Sequence, residues 1–304
     1  MSDAQLQFRE ELIQHGLLLP MGVDGLLGRS GGFERIIEGI DRCATRLGKD
    51  DGAEVLRFPP AISQRTFEES EYMKSFPQLA GTVHAFAGTN DRAHAELLAI
   101  MERKEDWTAQ QKATELVLTP AACYPVYPTL AARGPLGADG ALLDVFSYCF
   151  RHEPSVDPAR MQLFRMREYV RIGSPEQVQT FREMWIERAK ALMTDLELPF
   201  ALDVANDPFF GRTGRMLATN QREQTLKWEL LIPITSTEKP TACLSFNYHK
   251  DKFATNWKLQ QASGELAHTA CVGFGMERIA LALIKHHGFD QRTWPTSVRE
   301  HLRL

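Results

Sequence analysis

The sequence predicts an α+β domain in which a mostly antiparallel β-sheet is flanked by helices. Four segments are rich in aromatic and β-branched residues and partly alternate between apolar and polar positions, which is typical of strands. They cover residues 145–153, 163–171, 227–234 and 242–249. Segments with helical spacing of apolar residues come before, between and after them, and helices of this kind can cover such a sheet. A chain of 304 residues, 43% of them hydrophobic, is long enough to bury a large core.

The first clear helix is predicted from apolar residues that recur every three or four positions. These residues are Phe33, Ile36, Ile37, Ile40, Cys43 and Leu47. Cys43 lies on this stripe and is expected to be a small core residue. Residues 55–60 (VLRFPP) then form an extended segment that ends in two prolines. Two prolines cannot both occupy a central ladder, so we expect this strand to end at a sheet edge or an interface.

Residues 88–115 are rich in Ala, Glu, Lys and Arg and predict one or two helices. Their apolar side consists of Ala95, Leu97, Leu98 and Met101. The opposite side mixes charges of both signs, as solvated helix faces usually do. We interpret the segment as part of a helical insertion at about residues 75–115 within a single domain that spans residues 1–304.

Two further helices are predicted by their start and stop signals. Ser174, Pro175 and Gln177 form a helix start with a capping box. The following apolar spacing favours a long helix that ends before Pro199. Residues 276–287 form the last helix, with Gly288 as its stop.

Composition argues against several classes of protein. A net charge of −4 and a pI of about 6.2 do not fit a broad nucleic-acid-binding surface, which would be basic. No basic and apolar leader is visible, and no apolar stretch reaches the ~18 residues of a membrane helix, so we expect a cytoplasmic protein. The five cysteines are odd in number, widely scattered and without a C-x-x-C pair, which argues against a disulfide framework.

Two separate segments carry the candidate chemistry. The first opens with Arg151 and Glu153, and the second, residues 273–278 (GFGMER), ends in Arg278. Side chains two residues apart in a strand share a face, so Arg151 and Glu153 are expected to project together. Arginine forks bind phosphate oxygens, and a carboxylate can accept a hydrogen bond from an adenine amino group. The pattern favours a nucleoside triphosphate site, and an Arg–Glu surface pair is the simpler alternative.

Three segments resemble, in the same order, the motifs of class II aminoacyl-tRNA synthetases. Residues 55–60 resemble motif 1, residues 150–168, which run from FRHE to FRMRE, resemble motif 2, and residues 273–278 resemble motif 3. Residues 119–134 and 242–253 add a similarity to seryl-tRNA synthetases. The resemblance implies a class II synthetase-like catalytic domain, with motif 1 in the interface of a homodimer.

The resemblance also implies an ATP site. The implied ATP-binding residues are Arg151, Glu153, Arg160, Phe164, Ser245 and Arg278. The residue matching Arg151 is catalytic, because it binds the α-phosphate while a carboxylate attacks it. Glu153 would contact the adenine amino group, Arg160 the outer phosphates, and Arg278 and Phe164 the two faces of adenine. The chemistry is adenylation, which depends on positioning and charge stabilisation.

Magnesium is expected on the phosphates of ATP. In seryl-tRNA synthetases a glutamate helps to hold it, but the matching position here is near Thr241. Glu229 is the nearest acidic residue on these strands, and Lys227 and Glu229 are also predicted substrate contacts. The magnesium ligands therefore stay open at this point.

A zinc site is implied by similarity to the zinc-dependent seryl-tRNA synthetases of some methanogens. Cysteine, glutamate and cysteine bind one zinc ion there, and Cys123, Glu168 and Cys271 stand at the matching positions. Three protein ligands leave one coordination position for a substrate amino group. The alternative is two buried thiols and a salt-bridged acid. His249 and His268 are interpreted as structural, as are the two remaining cysteines.

The tRNA-binding parts of a synthetase are not recognisable in the sequence. This pattern resembles the amino acid:[carrier protein] ligases, truncated homologues of the zinc-dependent seryl-tRNA synthetases. The implied reaction is ATP-dependent activation of a small amino acid, glycine before alanine, and its transfer to the phosphopantetheine thiol of a carrier protein. No residue stands out as a general base for the thiol. The predicted docking contacts are Arg92, Arg103, Lys104 and Lys112. A tRNA-acting enzyme and a non-catalytic regulatory paralogue are the alternatives.

Overall fold

The computed structural model describes residues 3–304, apart from the side chains at positions 212–214 and 217. The strands are β1 (Leu18–Pro20), β2 (Leu27–Arg29), β3 (Glu54–Arg57), β4 (Ala61–Ser63), β5 (Thr82–Phe86), β6 (Gln111–Leu118), β7 (Ala141–Phe150), β8 (Leu163–Gly173), β9 (Ala201–Val204), β10 (Lys227–Ile232), β11 (Thr241–Lys250) and β12 (His268–Gly275). The helices are α1 (Asp3–Gln14), α2 (Gly31–Leu47), α3 (Gln64–Glu69), α4 (Tyr72–Ser75), α5 (Asp91–Glu102), α6 (Val126–Ala131), α7 (Pro175–Asp195), α8 (Gly211–Glu223), α9 (Lys252–Trp257), α10 (Met276–His287) and α11 (Thr296–Leu302).

The main sheet has seven strands in the order β3-β7-β8-β12-β11-β10-β9. Only the β3–β7 pair is parallel, so the predicted mostly antiparallel sheet is confirmed. The strand predicted before the two prolines is β3, and it lies at the edge of this sheet. No helix among residues 3–304 is long and apolar enough to cross a membrane.

Helices α2, α7 and α10 cover one face of the sheet and form the main core with it. The predicted capping box of α7 is present, because Ser174 and Gln177 bond to each other's backbone N–H groups. Trp185 of α7 is fully buried and stacks on Tyr169 of β8 with ring centroids 4.5 Å apart. Burying such a ring contributes about 3 kcal/mol, which ties α7 to the middle of the sheet.

The insertion differs from the predicted one. Residues 111–115 belong to β6, which pairs with β4 and β5 in a small three-stranded sheet. The expectation of helix over 88–115 is therefore correct only for α5 and a short 3₁₀ turn at Trp107–Gln110. Pairing with β5 outweighs the helical composition, because strand formation is decided by neighbours more than by intrinsic preference.

Candidate active site

The second face of the main sheet is the floor of a cavity of about 670 Å³. The pairing register explains which side chains share this face, because residues directly opposite each other in an antiparallel pair point to the same side. Glu168 of β8 lies opposite Gly273 of β12, and Gly273 lies opposite Ser245 of β11. Asn247 lies opposite Cys271. Alternation along three neighbouring strands therefore brings these polar side chains together.

Cys123, Glu168 and Cys271 form one buried cluster on this floor. Their two sulfur atoms and one carboxylate oxygen all lie within 4.8 Å of one another. The backbone N–H of Ala122 donates a 2.7 Å hydrogen bond to Glu168 Oε1, which holds the Cys123 segment against the sheet. The three residues that the sequence grouped from separate segments are therefore neighbours in space.

The electrostatics of the cluster fit a bound cation. A hydrogen bond with Cys271, burial and the charge of Glu168 together raise the pKa of the Cys123 thiol. Burial raises the pKa of Glu168, and hydrogen bonds from Cys123 and Ala122 oppose this change. Two thiolates and a carboxylate are donors that zinc prefers. Tetrahedral zinc with sulfur ligands at ~2.3 Å would place the two sulfur atoms about 3.8 Å apart, within the observed limit.

Arg151 and Glu153 both line the cavity, but the reason predicted for this is wrong. Strand β7 ends at Phe150, so neither residue lies in a strand. The N–H of Arg151 donates to Gln162 O, and the N–H of Glu153 donates to Arg151 O in a tight turn. Gln162 directly precedes β8, so the Arg151 bond extends the β7–β8 pairing by one residue, and the chain then turns away where the His152 N–H donates to Leu79 O.

The other residues of the predicted ATP site line the same cavity, with one exception. Phe164, Ser245 and Arg278 line it, and the Arg151 guanidinium lies 5.4 Å from the centre of the Phe164 ring. Arg278 donates to the carbonyl oxygens of Ala159 at 2.9 Å and Ala242 at 3.0 Å, which fixes its direction. Arg160 does not line the cavity; its exposed side chain lies 3.6 Å from Glu153 Oε1 at the rim.

Buried ion pairs on the helix-covered face lock the two ATP-site segments together. Arg165 donates from Nε to Glu277 Oε1 at 2.8 Å and from its backbone N–H to Glu277 Oε2 at 2.7 Å. Arg29 Nη2 lies 3.2 Å from the same carboxylate. Because Glu277 directly precedes Arg278, this network positions α10 against β8. It also confirms the prediction that Arg165 and Glu168 point to opposite faces of one strand.

Lys227 and Glu229 line the cavity but are paired with each other at 3.0 Å. Lys227 also contacts Asp207 Oδ1 at 2.5 Å. Burial acts to raise the pKa of Asp207, but the charge of Lys227 and hydrogen bonds outweigh it and lower this pKa to about 2. These three groups form a cluster of one cation and two carboxylates at the end of the site formed by β9 and β10. Asp207 was not identified from the sequence, because it follows no motif.

Asn247 and His249 were also missed as site residues. Asn247 Nδ2 lies 3.4 Å from Cys271 Sγ, and His249 Nε2 lies 3.9 Å from the same sulfur. Burial lowers the pKa of His249 to about 3, so the ring is neutral at pH 7. The period of two along β11 from Ser245 is a signal that could have found both residues. His268 instead pairs with Tyr248, in agreement with its structural interpretation.

The four predicted docking residues lie on or beside α5 and β6, among carboxylates. Arg92 lies on α5 and Lys112 on β6, so they belong to different elements. Arg103 is occupied by a bidentate pair with Glu105 at 2.8 Å. Residues 91–106 contain five carboxylates against three cations. The clearer feature of α5 is apolar: it has no buried residue, and Leu98 and Met101 are each 52% exposed.

Comparisons with known proteins fit this geometry. No protein-family model matches the chain. The amino acid--[acyl-carrier-protein] ligase 1 of Bradyrhizobium diazoefficiens is 50% identical over 284 residues, which cover 93% of this chain and 86% of that protein. Ligase 2 of the same organism is 48% identical over 93% of this chain and 84% of its own length. The type-2 serine--tRNA ligase of Methanopyrus kandleri is 29% identical over 61% of this chain and 37% of that protein.

Solved structures show that the fold is that of the class II aminoacyl-tRNA synthetases. A seryl-tRNA synthetase of M. kandleri, solved with A. aeolicus tRNASec, superposes with a TM-score of 0.82 and 21% identity over 97% of this chain and 60% of its own. The seryl-tRNA synthetase of Pyrococcus horikoshii, solved with ATP, superposes with a TM-score of 0.70. It is 15% identical over 98% of this chain and 62% of its own. Identity near one half along almost the whole sequence shows more than a shared fold, and the chain belongs to the amino acid--[acyl-carrier-protein] ligase family.

Proposed function

We propose that this protein activates a small amino acid with ATP and transfers it to the phosphopantetheine thiol of a carrier protein. The observation that carries the proposal is one cavity that contains both two arginines, Arg151 and Arg278, and a buried two-thiol, one-carboxylate cluster. The names of the two ligase relatives support a carrier protein as acceptor.

In the proposed first step, ATP binds along the edge of the cavity floor. Glu153 accepts from the adenine amino group, Arg278 and Phe164 flank the base, and Arg160 reaches the outer phosphates from the rim. Ser245 lies on the floor opposite Gly273, where a Cβ atom would approach Ser245 Oγ to 3.2 Å. A side chain in place of Gly273 would therefore crowd Ser245 on the floor of the proposed nucleotide site. Mg²⁺ accompanies the phosphates, with Glu229 as the carboxylate that could hold it.

Arg151 is the proposed catalytic residue of this step. Its side chain contacts Pro120 O, three residues before Cys123, and the Phe164 ring, so we propose that it holds the α-phosphate and the attacking carboxylate in line. The carboxylate oxygen bonds to the α-phosphorus, and the bond to the β-phosphate oxygen breaks to release pyrophosphate. Preorganised donors lower the barrier for such charge development without reorganising during the reaction.

The cluster of Cys123, Glu168 and Cys271 would hold one zinc ion per subunit. Zinc bound there would supply an open coordination position for the free amino group of the substrate. Asn247 orients Cys271 through its contact with the sulfur. Lys227 and Glu229 are the proposed further contacts to the substrate at the adjoining wall.

Large side chains surround the space beside this cluster, which favours glycine, with alanine next. Tyr124, Phe253 and Met166 all line it, and the rings of Tyr124 and Phe253 lie 5.9 Å apart. A bulky amino acid held by its amine at the cluster would collide with these groups.

The carrier protein is proposed to dock on α5 and the strands beside it. The exposed Leu98, Met101 and Trp107 offer apolar contact area, and Trp107 is 45% exposed. Lys104, Lys112 and Arg92 would add contacts at the rim of this patch, where charges mainly affect the association rate. Replacing both Leu98 and Met101 by Ser should raise KM for the carrier without changing pyrophosphate exchange.

A homodimer is proposed across the edge strand β3. Val55 on this strand is 59% exposed although it belongs to the seven-stranded sheet. Two prolines one residue beyond the end of β3 limit open-ended pairing along this edge. Sedimentation equilibrium of the protein and of a Val55→Glu variant tests this directly, because the variant should be monomeric.

The central experiment is ATP–pyrophosphate exchange across twenty amino acids, with zinc measured on the same protein. Exchange should depend on glycine or alanine, and the protein should contain about one zinc ion per chain. The second half-reaction is followed with a phosphopantetheinylated carrier protein and, in parallel, with total tRNA. Charging of tRNA with an untouched carrier would refute the proposal and favour a tRNA-acting enzyme. Absence of exchange with every amino acid would favour a non-catalytic paralogue.

A further inference from the structure

Among the described cationic side chains that line the cavity, one has no hydrogen-bond or ion-pair partner. The described cationic side chains that line it are Lys74, Arg151, Lys227, Lys252 and Arg278. Lys74 and Lys227 are bound to carboxylates, and Arg151 and Arg278 donate to backbone carbonyl oxygens. Within the described part of the chain, Lys252 makes no hydrogen bond or ion pair. A charged group that lines a cavity without a partner is available to a ligand.

Ring contacts connect Lys252 to the proposed zinc cluster. Lys252 begins α9, is exposed, and its Nζ lies 5.8 Å from the centre of the Phe253 ring. The Phe253 ring lies 4.8 Å from the His249 ring, which in turn contacts Cys271 Sγ. Lys252 therefore lies on the side of the cavity where the activated amino acid would be held, away from the adenine end.

We propose that Lys252 is a catalytic residue of the transfer step, in which its ammonium group contacts the attacking thiol and stabilises the thiolate. This inference rests on the proposed function, because it assigns a role within the same site. Free thiols have a pKa of about 8.5, so only a few per cent is thiolate at pH 7. A nearby cation increases that fraction.

The step balances without any additional reactant. The thiol proton leaves to solvent water, and the thiolate sulfur attacks the carbonyl carbon of the aminoacyl adenylate. A carbon–sulfur bond forms, the bond from that carbon to the phosphate oxygen breaks, and AMP leaves with the electron pair. Lys252 stays protonated throughout.

The carboxylates near Lys252 favour its ammonium form without bonding to it. The side chain of Lys252 is accessible to solvent, but partial desolvation by the cavity wall lowers its pKa, and the negative charges of Glu71 and Asp207 oppose this change. Glu71 is itself bound by Lys74, and Asp207 by Lys227. These carboxylates thus favour the ammonium form from a distance but leave its hydrogen-bond donors unused.

The test separates the two half-reactions in the full-length holoenzyme. Wild type, Lys252→Met and Lys252→Arg are compared with Lys239→Met, which replaces an exposed lysine outside the cavity. Each protein is allowed to form the adenylate and is then mixed with pantetheine or with hydroxylamine, which attacks as a neutral nucleophile. The readouts are pyrophosphate exchange, hydroxamate formation, and kcat and KM for thioester formation.

For Lys252→Met we expect exchange and hydroxamate formation within about twofold of wild type, and a fall of at least about tenfold in kcat for the thioester. Lys252→Arg should recover part of this loss, and Lys239→Met should match wild type. Thioester formation at the wild-type rate in Lys252→Met would overturn the assignment of Lys252 but leave the proposed function intact. Equal loss of exchange and thioester would overturn it too, by placing Lys252 in substrate binding. Failure of the wild type in both assays would overturn the proposed function as well.

Discussion

Arg151 offers the most direct test of the proposed adenylation chemistry. Its known contacts are a 3.2 Å hydrogen bond from Nε to Pro120 O and the approach to the Phe164 ring. Its two terminal nitrogens form no hydrogen bond among the described residues and are free to bind phosphate oxygens. We predict that Arg151→Met folds normally and loses most of the exchange activity.

The size of the loss follows from the charge that is removed. At 4 Å and an effective dielectric constant of 20, two unit charges interact by about 4 kcal/mol. Since each 1.36 kcal/mol is a factor of ten in rate, exchange should fall by about 100- to 1000-fold. The free energy of unfolding should fall by only about 1–2 kcal/mol, because one hydrogen bond and one cation–π contact are lost.

The assay is glycine- or alanine-dependent pyrophosphate exchange, with zinc content and thermal unfolding measured on each variant. Arg160→Met is the matched control, because this arginine is exposed at the rim. Its replacement should lower the rate of pyrophosphate exchange by about tenfold or less. Exchange by Arg151→Met within about threefold of wild type, at unchanged zinc content, would refute the reasoning.

Three more predictions concern binding, acid stability and folding. Cys123→Ser should weaken zinc binding at least about 100-fold in a chelator competition, and unchanged zinc content would contradict the proposed ligand set. Asp207 has a folded pKa of about 2 against its ordinary 3.8, so its stabilising contribution is complete above that ordinary value and is lost as the pH falls through 2. The difference in unfolding free energy between wild type and Asp207→Asn should therefore shrink over this range, and a constant difference would show that no such linkage exists. Asp144→Ala removes a partner 2.6 Å from the buried Arg167 and should lower the free energy of unfolding in urea by about 3 kcal/mol. A loss below about 1 kcal/mol would mean that the remaining partners, among them Asp41 and Thr45, satisfy the arginine without Asp144.

Elements defined by local chemistry could be predicted from the sequence. The start of α7 was recognisable because a capping box and a proline act within one turn. The faces of β8 were assigned correctly because strand side chains alternate with a strict period of two. The predictions that failed involved partners distant in sequence. Residues 111–115 were assigned to a helix because β5, their pairing partner, could not be seen.

The candidate site likewise has features that the sequence predicts and features that depend on segments distant in the chain. The sequence by itself determined the types of residue and, through family resemblance, which ones to group. Three ordered motifs grouped three arginines and a glutamate for a predicted nucleotide site, and the similarity to zinc-dependent seryl-tRNA synthetases grouped two cysteines and a glutamate for a predicted metal site. Only the tertiary structure decided that Arg151 and Glu153 leave the strand, that α5 presents apolar side chains, and that Asp207, His249 and Lys252 join the cavity. The physical reason is that charge pairing and burial depend on distances between segments far apart in the chain, and register and packing set those distances.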